Sequence, residues 1–362
     1  MNITRYPPTE NKSLRAWSAA DEFILKELSG LDTESKTVAI CNDRFGYLGC
    51  NLNILNPFSV VDYKSQEIAL RLNMEKNELQ FQADKILDPL TPAPEKLDFG
   101  ILHIPKSLDL FRFYLDYLSN SLKDDGIVIC GFMTRHFSPQ LLAIAAEFFE
   151  ETDQSLAWKK SRTLTLKKKK SDANRPLMNR ISFTFKNGVT QDLEQFAGVF
   201  SSGNIDYATQ FLLDNLTLRN EETRIMDLAS GNGVIARAVQ LEKPDAELHL
   251  MDDSFLAVES SKRNLDHRNT LFHHADSLDE IEAEDFDLVV SNPPFHFGHE
   301  VNTEVSVDLF REVAGKLKPG GRFLCVANKH LGYIASLKKF FTTTNILAEN
   351  KKFVVYEAWK GN

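Results

Sequence analysis

Arg224-Ile225-Met226-Asp227-Leu228-Ala229-Ser230-Gly231-Asn232-Gly233-Val234-Ile235-Ala236 reads as a short apolar strand, a glycine-bearing turn and the start of a helix that runs to Leu241. Glycine between strand and helix lets a ligand approach the backbone closely. About 20 residues on, Leu248-His249-Leu250-Met251 forms a second strand ending in Asp252-Asp253, the spacing at which an acid accepts from a ribose diol. The two acids are adjacent, so one of them faces the ribose, and the alignment with the strand end favours Asp252. His274-Ala275-Asp276-Ser277 offers a third acidic loop, where Asp276 either reads an adenine amino group or caps the segment that follows. The strand signal at Phe286 to Val290 then ends in Asn292-Pro293-Pro294-Phe295. Two consecutive prolines cannot donate to a ladder, so the chain leaves the sheet there. It displays an amide, a free carbonyl and an aromatic face, a set suited to holding a planar, amino-bearing molecule.

The ordered set of glycine turn, acid, acid and Asn-Pro-Pro-Phe resembles the S-adenosylmethionine-dependent class I methyltransferases that act on amino groups. The resemblance implies S-adenosylmethionine as cofactor, held by Asp227, Ala229, Gly231, Gly233, Asp252, Asp276 and Asn292.

Working outward, the first half of the chain repeats the second. Val38-Ala39-Ile40-Cys41 to Gly46 takes the place of the strand and glycine turn. Val60-Val61-Asp62 to Asn73 parallels Leu250-Met251-Asp252 to Asn264, and Asp98 to Lys106 parallels Asp285 to Pro293. Leu122 to Cys130 parallels Leu317 to Cys325. All four correspondences keep an offset of about 190 residues, which independent elements would not do. The expected fold class is α/β, with two tandem Rossmann-like domains over 1–186 and 187–362. The first copy is expected to be degenerate: it has Gly46 alone where the second has Gly231 and Gly233. It also carries Ile104-Pro105-Lys106-Ser107 in place of Asn292-Pro293-Pro294-Phe295. Its expected role is substrate recognition or support of the catalytic half.

Composition sets the outer limits. The chain has 362 residues, 43% of them hydrophobic and 26% charged, which suits two soluble domains. No apolar run approaches membrane-spanning length and the N-terminal stretch has no apolar core, so a cytoplasmic location and no membrane partner are expected. The four cysteines show no C-x-x-C pairing and read as buried thiols. His296 and His299 have no third ligand pattern beside them, so no metal is expected. A net charge of −9 excludes a protein that coats nucleic acid non-specifically. Locally, however, Lys159, Lys160, Arg162, Lys167, Lys168, Lys169 and Lys170 form an acid-free basic run. This run reads as a strand delivering lysines into a loop, either as a phosphate footprint or as a solvated face.

The duplicated layout with one intact site resembles the bacterial ribosomal RNA guanine-N2 methyltransferases. Among them it is most similar to the G-type enzymes of the large ribosomal particle, with the C-type enzymes of the small particle as sisters. The stretches that carry this are Leu14 to Glu22, Leu156 to Arg162, Val199-Phe200-Ser201, Asn292 to His296, Val326 to Leu331 and Lys352 to Val355. The resemblance implies methyl transfer to the exocyclic N2 of a guanine in 23S rRNA, protein-free or in an early precursor, with no obligate protein partner evident. Asn292 Oδ1 and the Pro293 carbonyl are the expected acceptors for the amino group, and Phe295 is expected to stack on the base. Two departures from the family pattern stand out. Ala229 replaces a glycine, which a negative φ would accommodate at some cost in cofactor affinity. Phe200-Ser201-Ser202-Gly203-Asn204-Ile205-Asp206-Tyr207-Ala208 lacks the family's arginine and displaces its glycines. Adenine-N6 and protein-glutamine methyltransferases share the tetrapeptide, and a non-catalytic RNA-binding factor on the same fold is the alternative of another class.

Overall fold

The computed structural model describes residues 1–9, 11, 13–170, 178–200, 203–293 and 303–361, with the backbone alone for 303–307. The chain divides into two units, Met1–Leu177 and Met178–Asn362. The first contains α1 (Ala19–Leu28), β1 (Val38–Cys41), α2 (Tyr47–Asn51), β2 (Phe58–Val60), α3 (Lys64–Lys76), β3 (Ile86–Leu87) and β4 (Leu97–His103). It continues through α4 (Leu108–Ser121), β5 (Leu122–Met133), α5 (Pro139–Phe148), β6 (Phe149–Gln154) and β7 (Ser161–Lys169). The second unit opens with a hairpin, β8 (Met178–Thr184) and β9 (Thr190–Phe196). Then follow α6 (Tyr207–Asn215), β10 (Arg224–Leu228), α7 (Val234–Glu242), β11 (Glu247–Asp252), α8 (Phe255–Asn264) and β12 (Thr270–His274). It closes with β13 (Phe286–Ser291), α9 (Thr303–Lys316), β14 (Leu317–Asn328), α10 (Ile334–Leu337), β15 (Thr343–Glu349) and β16 (Phe353–Trp359).

The described strands build two seven-stranded sheets of one topology, β3-β2-β1-β4-β5-β7-β6 and β12-β11-β10-β13-β14-β16-β15. In each, the first five strands pair in parallel, and the sixth runs antiparallel to both of its neighbours. Parallel strands covered by helices on both faces must be apolar on both sides, which is why their sequence runs are continuous and do not alternate. In the second sheet Ile225, Leu248, Leu288, Val290 and Leu324 enter one core together with α6, α7 and the hairpin residues Ile181 and Leu193. Met226, Met251, Val289, Phe323 and Cys325 enter the other core, with Phe310 and Val313 of α9. All four cysteines are free and buried.

The likeness of the two units extends to single hydrogen bonds. The Asp98 carboxylate accepts from Thr37 N (2.9 Å) and from the Lys123 ammonium (2.8 Å). Asp287 accepts from Arg224 N (2.8 Å) and pairs with Lys318. Both acids sit beside the same irregularity in pairing, between Leu97 and Phe99 and between Phe286 and Leu288. Asn73 on α3 exchanges hydrogen bonds with the backbone of Thr4 and donates to the Phe45 carbonyl (2.8 Å each). Asn264 at the end of α8 does the same with Glu194 (2.8 Å) and the Asn232 carbonyl (2.9 Å).

The unit boundary falls nine residues before the 186/187 break read from the sequence, because the hairpin packs as a whole on α8. Asn264 ties the hairpin there, and Phe196 N donates to Ser260 Oγ (2.9 Å).

One polar feature belongs to the second sheet alone. Arg322 on β14 is 1% exposed. Its guanidinium donates to both oxygens of Glu222 (2.5 and 3.0 Å), to Glu357 Oε1 (3.0 Å) and to the Thr217 carbonyl (2.5 Å). Register places Arg322 beside Leu288 and, in the first sheet, Ile127 beside Phe99. An aliphatic side chain therefore holds the equivalent place in the first copy.

Candidate active site

Strands β10 to β13 are parallel, so the segments that follow them emerge on one edge of the second sheet. That edge carries Ala229, Asp252, Asp276 and Asn292, and the strand order reverses between β10 and β13, where open α/β sheets bind ligands. Gly231 N donates to Asp252 Oδ2 (2.8 Å) and Ser254 N to Asp252 Oδ1 (2.9 Å). Asp252 thus braces the glycine turn, and with three backbone N–H groups on its carboxylate one acceptor position remains for a hydroxyl donor. Burial raises the Asp252 carboxyl above the usual range, against the N–H groups of Ser254, Gly231 and Asp253. The short turn Leu278–Glu280 is capped by Ser277 with Glu280 in a capping box, so the capping reading of Asp276 does not apply.

The turn is left-handed at alternate residues: φ is +59° at Ala229, +55° at Gly231 and +78° at Gly233. The expectation of a negative φ at Ala229 is thereby corrected. An L-residue in that region costs about 1–2 kcal/mol, and the turn carries this strain at the point where ligand and backbone meet. The glycines differ in purpose. A Cβ on Gly231 would meet nothing within 4 Å, so space lies open above the turn there. A Cβ on Gly233 would stand 2.7 Å from Leu265 Cδ1 and 2.9 Å from Ser261 Cβ, so packing on α8 requires that glycine.

Asp227 is buried, and its Oδ2 accepts from Ala236 N (2.9 Å) at the start of α7. Burial pushes its carboxyl up to about 8, opposed by the Ala236 N–H and reinforced by Asp252. Asp227 Oδ1 and Ser230 Oγ are buried without hydrogen-bond partners among the described residues. Unsatisfied polar atoms in a turn with open space above Gly231 fit a polar ligand such as S-adenosylmethionine.

Asn292 follows the last residue of β13. Its Nδ2 donates to Thr209 Oγ1 (2.8 Å) and Asp206 Oδ2 (3.3 Å) in the first turn of α6. With Nδ2 committed to α6, Oδ1 is the end available to an incoming donor. Pro293 follows, buried. Phe295, His296 and His299 lie outside the described residues. Neither Asp206 nor Thr209 stood out as a site residue in the sequence. The available signal was Asp206 at the end of the altered loop, immediately before an apolar helical pattern.

The first sheet shows what a retired version of this edge looks like. Asn42 (φ +59°) stands where Ala229 does, and Gly46 (φ +74°) where Gly233 does. Cys41 pairs with Leu102, and Leu228 with Ser291. Register therefore sets His103 opposite Asn292, one residue earlier than the sequence alignment with Ile104. His103 Nδ1 meets Asp21 Oδ1 at 2.5 Å. Burial opposes the His103 charge, but the Asp21 carboxylate beside it holds the imidazole above its ordinary range.

The basic run is also rearranged relative to expectation. Lys167, Lys168 and Lys169 lie within β7, not in a loop, and face Asp153 (3.9 Å), Glu151 (2.5 Å) and Asp124 (3.3 Å). Lys170 Nζ donates to the Ala146 carbonyl (2.6 Å). Lys159, Lys160 and Arg162 sit at the opposite end of the strand, about 25 Å away at the rise of an extended chain. Among the described residues no group of three or more His, Cys, Asp or Glu side chains could hold a metal ion. No helix among them is long and apolar enough to cross a membrane.

Comparison with known proteins agrees with this anatomy. The family model for the RLMG N-terminal domain matches residues 1–170, and the model for the methyltransferase small domain matches residues 191–357. The ribosomal RNA large subunit methyltransferase G of Yersinia enterocolitica is 31% identical over 365 residues, covering 99% of this chain and 92% of that protein. The protein of the same name from Yersinia pestis is 31% identical over 370 residues, with the same coverage. Among solved structures, the T. thermophilus 16S rRNA N2 methyltransferase (RsmC), in complex with AdoMet and guanosine, shares the fold. Its TM-score is 0.79 at 21% identity, covering 98% of this chain and 94% of that one.

Proposed function

The chain belongs to the ribosomal RNA large subunit methyltransferase G family, and from that premise we propose that it transfers a methyl group from S-adenosylmethionine to the exocyclic N2 of one guanine in 23S rRNA. The observation that carries the reading is Asn292, held at the sheet's switch point with its amide N–H spent on α6 and its oxygen left for a substrate amine.

Ala229, Gly231 and Asp227 would hold the methionine part, Asp252 the ribose, and Asp276 the adenine, with Gly233 shaping the turn from below. Bound there, S-adenosylmethionine supplies a methyl group on a cationic sulfur. A guanine amino group is a poor nucleophile because its lone pair is delocalised into the ring. Asn292 Oδ1 and the Pro293 carbonyl, each accepting one N–H, favour a pyramidal nitrogen with a localised lone pair. Phe295, outside the described residues, would be the stacking partner of the base, a contact typically worth about 1–3 kcal/mol per base. Preorganised acceptors and positioning do the work, and no strong general base is needed. The target base must be unpaired or flipped to reach such a pocket.

The first domain would serve RNA recognition. Arg15 lies over the Trp17 ring (5.8 Å) and Lys159 over Trp158 (4.4 Å), while Glu22 is the acid facing both cations. Cations interleaved with aromatic faces suit a phosphate backbone with unstacked bases. Replacing Lys159 and Lys160 with Gln is expected to weaken binding to protein-free 23S rRNA by about tenfold and to flatten its salt dependence. Replacing Lys167 to Lys170, at the far end of β7 from these rings, should leave RNA affinity within about twofold of wild type. Filter binding across a salt series checks both.

The reaction is tested by offering labelled S-adenosylmethionine with protein-free 23S rRNA, 16S rRNA, assembled large subunits and duplex DNA, followed by nucleoside analysis. N2-methylguanosine in 23S rRNA alone is the expected result. N6-methyladenosine, or label in 16S rRNA only, would replace the proposed substrate. Bound cofactor without transfer would point to a protein glutamine substrate, and no cofactor binding to an RNA-binding factor on a retired enzyme fold. The expected setting is the cytoplasm, with free RNA or an early precursor as substrate.

A further inference from the structure

We propose that Asp206 is a positioning residue for the reaction, fixing which end of the Asn292 amide faces the target base. This rests on the methyl-transfer reading above and names a residue that acts through Asn292 rather than on the substrate.

The two ends of an amide are nearly isosteric but opposite in chemistry, and a half-turn of the Asn292 side chain would present NH2 to the guanine NH2. Two donors would then face each other and the acceptor would be lost. Thr209 Oγ1, at 2.8 Å, cannot prevent this, because a hydroxyl donates as readily as it accepts. A carboxylate only accepts. Asp206 Oδ2, 3.3 Å from Asn292 Nδ2, is therefore the group that discriminates between the two orientations. The same oxygen accepts from Ala208 N (2.9 Å) and Thr209 N (3.3 Å) as the N-cap of α6, so its own place is fixed by the helix.

The first domain provides an internal comparison. Its helix α1 has Ser18 as the N-cap, accepting from Ala20 N, and the third residue after the cap is Asp21. Asp21 meets His103, as Thr209 meets Asn292. Where the strand ends in an imidazole, the cap is a plain serine. Where it ends in an amide whose orientation matters, the cap is an acid.

Serine is thus a cap this fold already accepts, and Asp206→Ser removes the orienting acceptor without removing the cap. The experiment is steady-state methyl transfer to protein-free 23S rRNA by wild type, Asp206→Ser, Asp206→Thr and Asp206→Asn, with cofactor Kd and thermal unfolding measured on each. Asp206→Ser and Asp206→Thr should each lose about tenfold in kcat, the upper end for a neutral hydrogen bond, with cofactor Kd and Tm close to wild type. Asp206→Asn, whose Oδ1 still accepts from Asn292 and still caps, should recover kcat to within about threefold of wild type. Wild-type kcat in Asp206→Ser would overturn the proposal while leaving the methyl-transfer reading intact. An Asp206→Asn enzyme as slow as Asp206→Ser would also overturn it, because charge rather than orientation would then be what matters. A wild-type protein that transfers no methyl group to RNA would remove the reading and this inference with it.

Discussion

Replacing Asn292 with alanine lowers kcat by about 10²–10³-fold, the typical cost of deleting one preorganised hydrogen-bonding group from a reacting centre. The cofactor Kd rises far less, by about threefold, since Asn292 is one of seven residues expected at the cofactor whereas its amide oxygen is a principal acceptor for the reacting amine. The Asn292 oxygen is selective for the transition state. An acceptor on the guanine amino group gains strength as nitrogen becomes positive during transfer, so its loss appears in turnover and not in ground-state affinity. Asn292→Asp keeps an acceptor but places a second acid beside Asp206, so it should restore less than its shape suggests. Single-turnover rates at saturating cofactor, beside calorimetric cofactor titration, decide the matter. Equal losses in rate and cofactor affinity would move Asn292 from the reaction to the cofactor site.

Replacing Arg322 with methionine destabilises the second domain by about 3–5 kcal/mol, the cost of leaving a buried charge without its partner. For a unit of this size that is a fall of roughly 10 °C in Tm, at about 2–4 °C per kcal/mol. Removal strands Glu222, 3% exposed, together with Glu357 and the Thr217 carbonyl, which the guanidinium now satisfies. Ile127, the counterpart in the first sheet, shows that the fold accepts an aliphatic side chain there. Arg322→Ile combined with Glu222→Leu should therefore recover much of the loss, because a buried ion pair gains little over well-packed apolar groups. Denaturant unfolding monitored on the second domain reads both variants. A single-variant loss below about 1 kcal/mol would mean that water reaches the cluster and solvates the acids.

Much of the architecture was legible in the chain because parallel strands covered on both faces leave continuous apolar runs, and a duplication repeats them at one offset. The glycine turn, the acid after the second strand and the Asn-Pro-Pro-Phe end of the fourth could be read because each breaks such a run with chemistry a strand does not need. What escaped reading depended on backbone conformation or on distant partners. The alignment of the two halves could not show that Ala229 lies at φ +59°, since an alanine in text looks compatible with any φ. It set Ile104 against Asn292 because Pro105 matched Pro293, whereas pairing with Leu102 and Ser291 fixes His103 there. The lysine run looked like one patch because its acids, Asp124, Glu151 and Asp153, come from other strands and loops. Asp206 looked like part of a weakened motif, and only the approach of Asn292, 86 residues away in the chain, gives it a task.

The identical strand order of the two sheets bears on how the chain is made. Each sheet draws its strands from one uninterrupted segment, β1 to β7 ending at Lys169 and β10 to β16 beginning at Arg224. A chain holding two sets of strands with matching order and direction offers each strand a false partner in the other set, the hazard of tandem repeats during folding. Synthesis from the N-terminus removes that competitor: β1 to β7 are complete before the first strand of the second sheet exists. Refolding from denaturant presents both sets at once. Recovery of the native protein should therefore be lower after dilution from denaturant than after synthesis on the ribosome, a difference rooted in timing and not in the stability of either sheet.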